Sequence, residues 1–361
     1  MVISPVHFPF WPRKQKTDGG NLFDFGDIFY FQRGSLALAE GLMAILRKRK
    51  KEKLQVLFPD YFCKEPLEVL KSFPISIIFY PIQKNFEPDW EKVKIIFQTK
   101  QPDAFVLVHY FGFPNNLEKA QEICDECNVA LVEDCAHVLR PSGKVGRTGI
   151  FSIFSPWKFL SLNDLGLLKT KNQLAPFVQL SKNYFAVLPF LKWVFKKKVQ
   201  QILCFLNVNW YKQKRKNSFE DFDDLLSVNS WSVKLFNIYS RGIDSIINQR
   251  RKNYLFLESS TKKNYLNGLI RDELLEEVVP YIFPLVCKKP AERYIKQLVQ
   301  KGVPASSWPD LPEEVKNNPL DYPWANFYAE YILLFPIHQD ITERGMQYME
   351  KQIANVLYAQ D

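Results

Sequence analysis

Short apolar runs alternate with segments of helical periodicity over the first half of the chain. Four of these runs are Leu54–Phe58, Ile75–Tyr80, Ala104–His109 and Val129–Asp134, and they are rich in β-branched and aromatic residues. The run Ala104–His109 is almost wholly apolar, as in a strand buried on both faces of a parallel sheet. The alternation predicts an α/β fold with a mostly parallel central sheet flanked by helices.

The second half of the chain predicts longer helices and fewer strands. We expect one long helix over Ser232–Leu257, a strand from Pro280, a helix over Ala291–Lys301 and a closing helix over Thr342–Tyr358. We therefore predict a large domain over residues 1–245 and a smaller C-terminal α+β domain over residues 246–361. Both fit within the 361 residues of the chain.

The composition is that of a globular protein with a substantial core. Hydrophobic residues make up 47% and charged residues 24% of the chain. The first residues are broken by prolines and lack a basic start followed by an apolar run, so we expect no signal peptide and a cytoplasmic protein. Six scattered cysteines then suggest reduced thiols. The pair Cys124 and Cys127 has no second pair to complete a metal site, and we predict no metal.

The net charge of +9 is concentrated in one segment. Residues 185–217 contain eight Lys and Arg and no Asp or Glu. A nucleic-acid-binding protein would more often spread its basic residues along a groove, so we expect no nucleic-acid partner. Three hypotheses stay open for this basic segment: an amphipathic patch that contacts an anionic membrane, phosphate binding for a nucleotide-linked substrate, or packed helices with a solvated basic face.

Several polar residues fall where ligands bind in open parallel sheets, at the carboxyl ends of strands. Tyr61, His109 and Asp134 all follow predicted strands. Gly34 and Ser35 precede a predicted helix, with Ser35 as a candidate N-cap, and free N–H groups at a helix start favour an anion. We expect these residues to lie at one edge of the sheet and to form a site.

Lys158 is the most informative residue of this predicted site. It follows Asp134 by about two dozen residues, at the end of the aromatic and serine-rich loop that leads from Gly149. A lysine on a loop can form a Schiff base with pyridoxal phosphate (PLP), while a carboxylate at a strand end keeps the pyridine nitrogen protonated. The alternative is a solvated lysine and an unrelated aspartate.

Six motifs, in order along the chain, resemble those of the DegT/StrS-type sugar aminotransferases, a branch of the fold-type I PLP-dependent enzymes. They lie in the phosphate turn, the loop after the second strand, two later strand ends, the lysine loop and a late histidine motif. The motifs are Arg33-Gly-Ser-Leu-Ala-Leu, Phe58-Pro-Asp-Tyr-Phe-Cys, Val108-His-Tyr-Phe-Gly-Phe-Pro, Val132-Glu-Asp-Cys-Ala-His, Val145-Gly-Arg-Thr-Gly followed by Ser155-Pro-Trp-Lys, and Leu334-Phe-Pro-Ile-His-Gln.

The resemblance implies three catalytic residues. Lys158 would carry the cofactor and, once freed, would move a proton between the substrate and the cofactor. Asp134 would pair with the pyridinium nitrogen. His137 stands where the family often has Gln, within reach of the phenolic oxygen of the cofactor.

The resemblance also implies which residues bind the rest of the cofactor. Gly34, Ser35 and Ser155 would hold the phosphate. Tyr61 or Phe62 would stack on the ring, and the sequence leaves open which of the two does so.

The chain departs from the family pattern at several positions. Arg33 replaces the usual small residue of the phosphate turn, Ile150 stands where many members carry Asp, and Leu165 replaces the first Gly of the usual Asp-Gly-Gly. None removes the predicted chemistry, but they indicate a divergent member with an unusual substrate.

We therefore predict a homodimeric, PLP-dependent aminotransferase that moves an amino group from glutamate to a keto sugar attached to a nucleotide, in surface polysaccharide or secondary-metabolite biosynthesis. The stretch Ser227–Trp231 is a candidate for reaching the neighbouring active site. One alternative is a lyase-like relative such as a dehydratase, in which histidine typically replaces the lysine, so Lys158 argues against it. The other is a non-catalytic relative in polysaccharide assembly, which Lys158 and Asp134 disfavour.

Overall fold

The computed structural model describes residues 1–4, 23, 26–170, 182–183, 187–208, 228–264, 268–271, 273–308 and 310–357. Most of the predicted N-terminal arm, residues 209–217 of the basic segment and Ser227 of the candidate dimer stretch lie outside the described residues. None of the helices in the described part combines the length and the apolar composition needed to cross a membrane.

A seven-stranded sheet forms the centre of the protein. Its strands are β1 (Asp27–Phe31), β2 (Leu54–Pro59), β3 (Ile75–Tyr80), β4 (Ala104–Val108), β5 (Ala130–Cys135), β6 (Phe151–Phe154) and β7 (Gly166–Thr170), in the spatial order β1-β7-β6-β5-β4-β2-β3. Strands β2 to β6 pair in parallel, and β7 is antiparallel to β6 and β1. The prediction of a mostly parallel α/β sheet is thus confirmed.

Four helices connect the strands of the first half: α1 (Gly34–Arg49), α2 (Lys64–Leu70), α3 (Trp90–Lys100) and α4 (Leu117–Glu126). Their starts are encoded locally in two cases. The side chains of Asp89 and Asn116 accept the backbone N–H of the residue three positions on, which caps α3 and α4. Each helix buries one apolar stripe, and the largest buried set belongs to α1, which packs against β1, β6 and β7.

The second half contains a small antiparallel sheet with helices around it. Its elements are β8 (Lys182–Asn183), α5 (Val187–Phe205), β9 (Val228–Asn229), α6 (Ser230–Ser240), α7 (Ile243–Asn264), β10 (Phe283–Val286), α8 (Ala291–Gln300), α9 (Glu313–Asn317), α10 (Pro323–Tyr331), β11 (Ile332–Phe335) and α11 (Glu343–Leu357). Strands β10 and β11 pair with each other, and β8 pairs with β9. The predicted domain boundary after residue 245 falls inside α7 and stays a prediction.

The prediction of one long helix over Ser232–Leu257 is wrong. The segment forms α6 and α7, which are separated at Arg241 and Gly242. The N–H groups of these two residues bond to carbonyls three residues back, so the last turn of α6 tightens and ends. Gly242 favours this break because glycine is a poor helix former.

The first turn of α1 lies directly against the start of β7. A Cβ atom on Gly166 would collide with the backbone carbonyl of Arg33 and with the backbone N of Gly34, so only glycine fits there. The helix begins at Gly34, two residues earlier than predicted, and its N-cap Arg33 makes no side-chain cap bond. Ser35 is therefore the second residue of α1 rather than its N-cap, and it offers a backbone N–H at the helix start.

Replacing Gly166 with Ala should destabilise the protein by about 1–3 kcal/mol, because the added methyl group meets backbone atoms that cannot move aside. The matched control is Gly242→Ala, where nothing lies within 4 Å of an added Cβ. That variant should change the free energy of unfolding by less than about 1 kcal/mol, in the stabilising direction. Urea unfolding of both variants tests the contact, and equal effects would contradict it.

Candidate functional site

The carboxylate of Glu133 accepts five hydrogen bonds and fixes the loop that leads to Lys158. Its Oε1 atom accepts the N–H groups of Thr148 (2.8 Å) and Gly149 (2.7 Å) and the hydroxyl of Ser152 (3.3 Å). Its Oε2 atom accepts the N–H of Gly146 (2.7 Å) and the ring of His109 (3.1 Å). Together these bonds hold β4, β5, the turn at 145–149 and β6 in one register.

The hydrogen bonds of this network determine which ring nitrogen of His109 carries the proton and keep Glu133 charged. The Nδ1 atom of His109 accepts the N–H of Asn115 at 3.0 Å, so Nε2 carries a proton and donates it to Glu133. Burial acts to raise the pKa of Glu133, but the bond from His109 and the N–H groups of Gly149 and Gly146 more than offset it, and the pKa is lowered. Glu133 is thus a buried anion stabilised by fixed donors.

His109, Glu133 and Cys135 bring potential metal ligands within 4.8 Å of one another, and all three side chains are buried. The two carboxylate oxygens of Glu133 are already taken up by N–H and O–H donors. Burial also raises the pKa of Cys135 well above its ordinary value, which keeps it a thiol. We therefore interpret the cluster as a structural hydrogen-bond network.

Asp134 follows Glu133 in β5, so its side chain points to the opposite face of the sheet. It is buried, and its Oδ1 atom accepts the N–H of Ala136 at 2.8 Å. Burial raises the pKa of Asp134, while that N–H, the charge of Lys158 and then that of His109 lower it. The carboxylate thus lies at the carboxyl end of β5, close enough to Lys158 to interact with its charge.

Lys158 ends a short 3₁₀ helix, Pro156–Lys158, directly after β6. Its side chain is half-buried, and its Nζ atom lies 5.7 Å from the centre of the Tyr281 ring. The ammonium group acts electrostatically on the residues around it, which are the buried Asp134 and His137 and the half-buried Cys63. The structure therefore brings together Lys158, Asp134 and His137, the three predicted catalytic residues.

His137 lies between two aromatic rings. It stacks on Tyr281, with 4.6 Å between ring centres, and parallel to Phe111 at 6.1 Å. Its Nδ1 atom accepts the N–H of Phe111 at 3.3 Å. Burial, with a smaller effect from Lys158, lowers the pKa of His137 well below its ordinary value. The ring is therefore neutral at pH 7, with its proton on Nε2 as a free donor.

The predicted phosphate residues also meet. An added Cβ on Gly34 would collide with the hydroxyl of Ser155, so the start of α1 lies against the end of β6. The first turn of α1 contains no acidic residue and no side-chain cap, and Ser155 is buried. Backbone N–H groups and a hydroxyl directed at one point suit a phosphate dianion.

Tyr61 and Phe62 lie on different sides of their loop. Tyr61 is fully buried and stacks on Trp308, with 4.4 Å between ring centres. Phe62 packs on Phe58 at 5.1 Å. The residue of this loop that interacts with the charges of Lys158 and Asp134 is Cys63, whose pKa burial raises to about 12. The structure thus adds a third candidate for the wall of the site.

A cavity of about 260 Å³ lies beside Lys158. Two further cations line it, Lys197 of α5 and Arg250 of α7. Burial lowers the pKa of Lys197 to about 8 and that of Arg250 to about 10, so both are mainly protonated at pH 7. Arg250 is held by the carbonyls of Pro280 (3.2 Å) and Tyr281 and by Gln339 (3.1 Å). This cavity therefore suits an anionic ligand.

Sequence reasoning missed Tyr281, Arg250 and Trp308. Each lies in the second half of the chain, far in sequence from the motifs, and reaches the site only through tertiary packing. The only sequence indication was Gln339, which ends the late histidine motif and bonds to Arg250. The histidine of that motif, His338, lines the same cavity, and its Nε2–H group donates to the backbone carbonyl of Ser4 at 2.9 Å.

The turn after Lys158 contains Leu165 where the family pattern has Gly. Leu165 has a φ of +150°, a torsion that glycine adopts more readily, yet its side chain is fully buried. A strained torsion costs about 1–3 kcal/mol, and burying a leucine contributes about 1.5–3 kcal/mol. Asp164 accepts the hydroxyl of Ser232, which ties the turn to α6. The burial of the Leu165 side chain thus offsets the cost of its backbone torsion.

These residues fit PLP on three structural observations. The start of α1 and Ser155 lie in close contact, because an added Cβ at Gly34 would meet the hydroxyl of Ser155. Asp134 is a buried carboxylate whose pKa burial raises, so it would be stabilised by a cation such as a protonated pyridine nitrogen. The Nε2–H group of His137 is a free donor, and Lys158 lies between these groups and the cavity.

Comparison with known proteins supports this fit. The model of the DegT/DnrJ/EryC1/StrS aminotransferase family matches residues 75–176, which contain Asp134, His137 and Lys158. The match confirms the resemblance predicted from the motifs, and with it the PLP-dependent aminotransferase class of enzyme.

Solved structures of this type resemble the chain over most of its length. An aminotransferase from Psychrobacter cryohalolentis is 16% identical, with 93% of this chain and 88% of that chain covered and a TM-score of 0.66. An E. coli GDP-4-keto-6-deoxy-D-mannose-3-dehydratase with bound hydrated PLP is 17% identical, with 92% and 88% covered and a TM-score of 0.64. A sugar aminotransferase from Streptococcus pneumoniae in its PMP form, described as putative, is 14% identical, with 93% and 88% covered and a TM-score of 0.64. The predicted fold-type I architecture is confirmed.

Replacing Glu133 with Gln should destabilise the protein by about 3 kcal/mol at pH 7, because the new amide group faces N–H donors that lose their acceptor. The folded pKa of Glu133 is lowered from its ordinary value of 4.5. Its contribution to stability is therefore fully present above pH 4.5 and is lost as the pH falls through the lower folded pKa.

Urea unfolding across a pH series measures this contribution. The difference in free energy of unfolding between the protein and Glu133→Gln should narrow as the pH falls below 4.5. The exposed Glu122→Gln on α4 is the control and should differ by less than about 0.5 kcal/mol at every pH. A difference that does not change with pH would show that Glu133 is not a buried anion.

Proposed function

We propose that this DegT/StrS-type aminotransferase transfers an amino group from glutamate to a keto sugar attached to a nucleotide. The observation that carries the proposal is the convergence of Lys158, Asp134 and His137 beside a cavity lined by Arg250 and Lys197. Both substrates are anionic, through the carboxylates of the donor and the phosphates of the nucleotide. Fixed cations next to the reacting lysine would bind and orient such substrates.

Bound PLP would supply an electron sink for the carbon from which the amino group leaves. Lys158 would attach the cofactor and, when freed, would move the proton between the two reacting carbons. Asp134 would hold a proton on the ring nitrogen. His137 would donate its Nε2–H group to the phenolic oxygen, and the stacking on Tyr281 would orient it for that role.

The phosphate of the cofactor would bind where α1 meets β6. Gly34 and Ser35 would offer N–H groups, and Ser155 would offer its hydroxyl. Three side chains of the loop after β2 are candidates for contact with the cofactor ring. They are the aromatic rings of Tyr61 and Phe62 and the thiol of Cys63. Cys63 is a further candidate for the wall beside the ring, because the charges of Lys158 and Asp134 both act on its thiol.

We further propose that the enzyme is a cytoplasmic homodimer that acts in the biosynthesis of a surface polysaccharide or a secondary metabolite. The stretch Ser227–Trp231 is the candidate for reaching the active site of the neighbouring subunit. Its residues Val228, Asn229 and Ser230 are buried within this chain, whereas Trp231 is 38% exposed. The indole of Trp231 is thus the part of this stretch that could reach a partner.

A dehydratase is the second candidate, because one of the similar structures is a dehydratase. Lys158 argues against it, since a lysine at this position can carry the proton in both halves of an amino transfer. Purified enzyme loaded with PLP and incubated with glutamate and a keto-sugar nucleotide should yield an amino sugar by mass spectrometry. A product that has lost water without gaining nitrogen would instead establish the dehydratase.

Lys158→Ala should abolish the visible absorbance band of the PLP-loaded protein and lower the rate by about 10²–10⁴-fold, because both the covalent attachment and the proton carrier are lost. The exposed Lys144→Ala is the matched control and should keep the band and the rate. A band fixed by borohydride in Lys158→Ala would show that another lysine carries the cofactor.

His137→Gln should keep kcat/KM within about tenfold, because the amide still donates one hydrogen bond. His137→Leu should lower kcat/KM by roughly 10–100-fold, the value of a hydrogen bond to a charged group. Steady-state kinetics and thermal melting of both variants separate the roles. Equal losses in the two variants would indicate that His137 acts through packing on Tyr281 rather than as a donor.

A further inference from the structure

The outward face of α5, together with Leu206 directly after the helix, forms an apolar stripe that one lysine interrupts. Six large apolar side chains on it are exposed, and Phe205 (86%) and Phe195 (72%) are exposed the most. The six are Leu191, Phe195, Val199, Ile202, Phe205 and Leu206. Successive helical residues turn by about 100°, so these side chains share an arc about 120° wide. A helix normally turns such an arc to the core, and a contiguous exposed patch marks an interaction site.

The opposite face of α5 already packs on the protein. Phe190 stacks on Trp231, with 6.0 Å between ring centres, and the thiol of Cys204 donates to the carbonyl of Val2 at 3.0 Å. Trp193 and Lys197 line the cavity beside Lys158. The exposed stripe is therefore a second apolar face, left over after the helix has docked on its own chain.

The charge of α5 indicates what this second face contacts. The helix contains four lysines and no acidic residue. Lys197 turns inward to the cavity, whereas Lys192, Lys196 and Lys198 are exposed. Lys198 lies within the arc of the apolar side chains, and the other two lysines lie along one edge of it. Apolar side chains flanked by cations are the pattern of a helix that lies in the interface of an anionic bilayer. The long lysine stems can run along the apolar side chains and place the ammonium groups among lipid phosphates.

We propose that α5 docks this protein on the surface of an anionic lipid bilayer. The helix lies in the plane of the membrane, with the rings of Phe195 and Phe205 inserted below the headgroups and the three exposed lysines at the level of the phosphates. A second copy of the chain is a poorer occupant, because two such faces would bring lysines together with no acidic residue of α5 to match them. The proposal does not depend on the proposed substrate.

Docking would place one wall of the substrate cavity at the membrane surface. The inner face of α5 contributes Trp193 and Lys197 to the cavity, and its outer face contributes the lipid contacts. Substitutions of the outer face leave the inner contacts in place. Membrane binding can therefore be removed without changing the groups that line the cavity.

Vesicle flotation of the full-length, PLP-loaded protein tests the docking. The protein should float with vesicles of phosphatidylcholine and phosphatidylglycerol, and much less with phosphatidylcholine alone. Added salt should weaken the binding, because exposed charges are screened beyond about 10 Å at 0.1 M salt. Absence of binding to the anionic vesicles at low salt would overturn the proposal.

Two sets of variants assign the binding to α5. Lys192→Gln, Lys196→Gln and Lys198→Gln should weaken partitioning roughly fivefold for each lysine removed. The triple variant Phe195→Ser, Ile202→Ser and Phe205→Ser should remove the binding that persists at high salt. The matched controls are Lys94→Gln, Ile95→Ser and Lys100→Gln on α3, where exposed residues of the same types lie in another part of the fold.

The control variants should bind vesicles like the unchanged protein, and all variants should keep the native melting temperature within a few degrees. Binding that survives both α5 sets would overturn the proposal. Light scattering tests whether the stripe is instead an interface between copies of the chain. If the serine variants dissociate an oligomer while the unchanged protein fails to bind vesicles, the stripe is an interface between copies of the chain, and the membrane proposal is wrong.

Discussion

The buried anion Glu133 is the constraint on which the arrangement of the site depends. One carboxylate collects donors from β4, from the turn at 145–149 and from β6, so these elements cannot shift independently. Its neighbour Asp134 is thereby fixed on the other face of β5, and Lys158 is fixed at the end of β6. The glycines at 146 and 149 matter because their N–H groups must reach Glu133. Glu133 thus has a structural role, whereas its neighbour Asp134 faces the site.

The groups around Lys158 divide into neutral and cationic ones. His137 and Cys63 are held neutral by burial, so they can donate hydrogen bonds or form a wall without competing for charge. Lys197 and Arg250 keep their protons despite burial and face the cavity. An anionic substrate would therefore be drawn towards these cations, while Asp134 remains available to the protonated ring nitrogen of the cofactor.

The departures from the family pattern have local explanations. Arg33 is accommodated because its side chain turns outward to pair with Glu65, leaving only its backbone in the phosphate turn. Leu165 carries an unfavourable torsion in exchange for complete burial. The basic segment, which had three interpretations from sequence, contains one helix that packs with one face and exposes the other. That division could not be read from composition, since both faces of α5 contain apolar residues.

The sequence by itself determined most strands of the central sheet and most helix boundaries in the first half, and its resemblance to a known family indicated that Lys158, Asp134 and His137 form one group. These features are local, because strand periodicity, caps such as Asp89 and Asn116, and strand-end residues are each encoded within a few positions. Only the tertiary structure decided that Tyr281, Arg250 and Trp308 complete the site, and that the thiol of Cys63 lies near the charges of Lys158 and Asp134. It also decided the break between α6 and α7. The physical reason is that these contacts join segments that are distant in the sequence, or depend on a local choice between continuing and ending a helix. Neither leaves a periodic trace in the sequence.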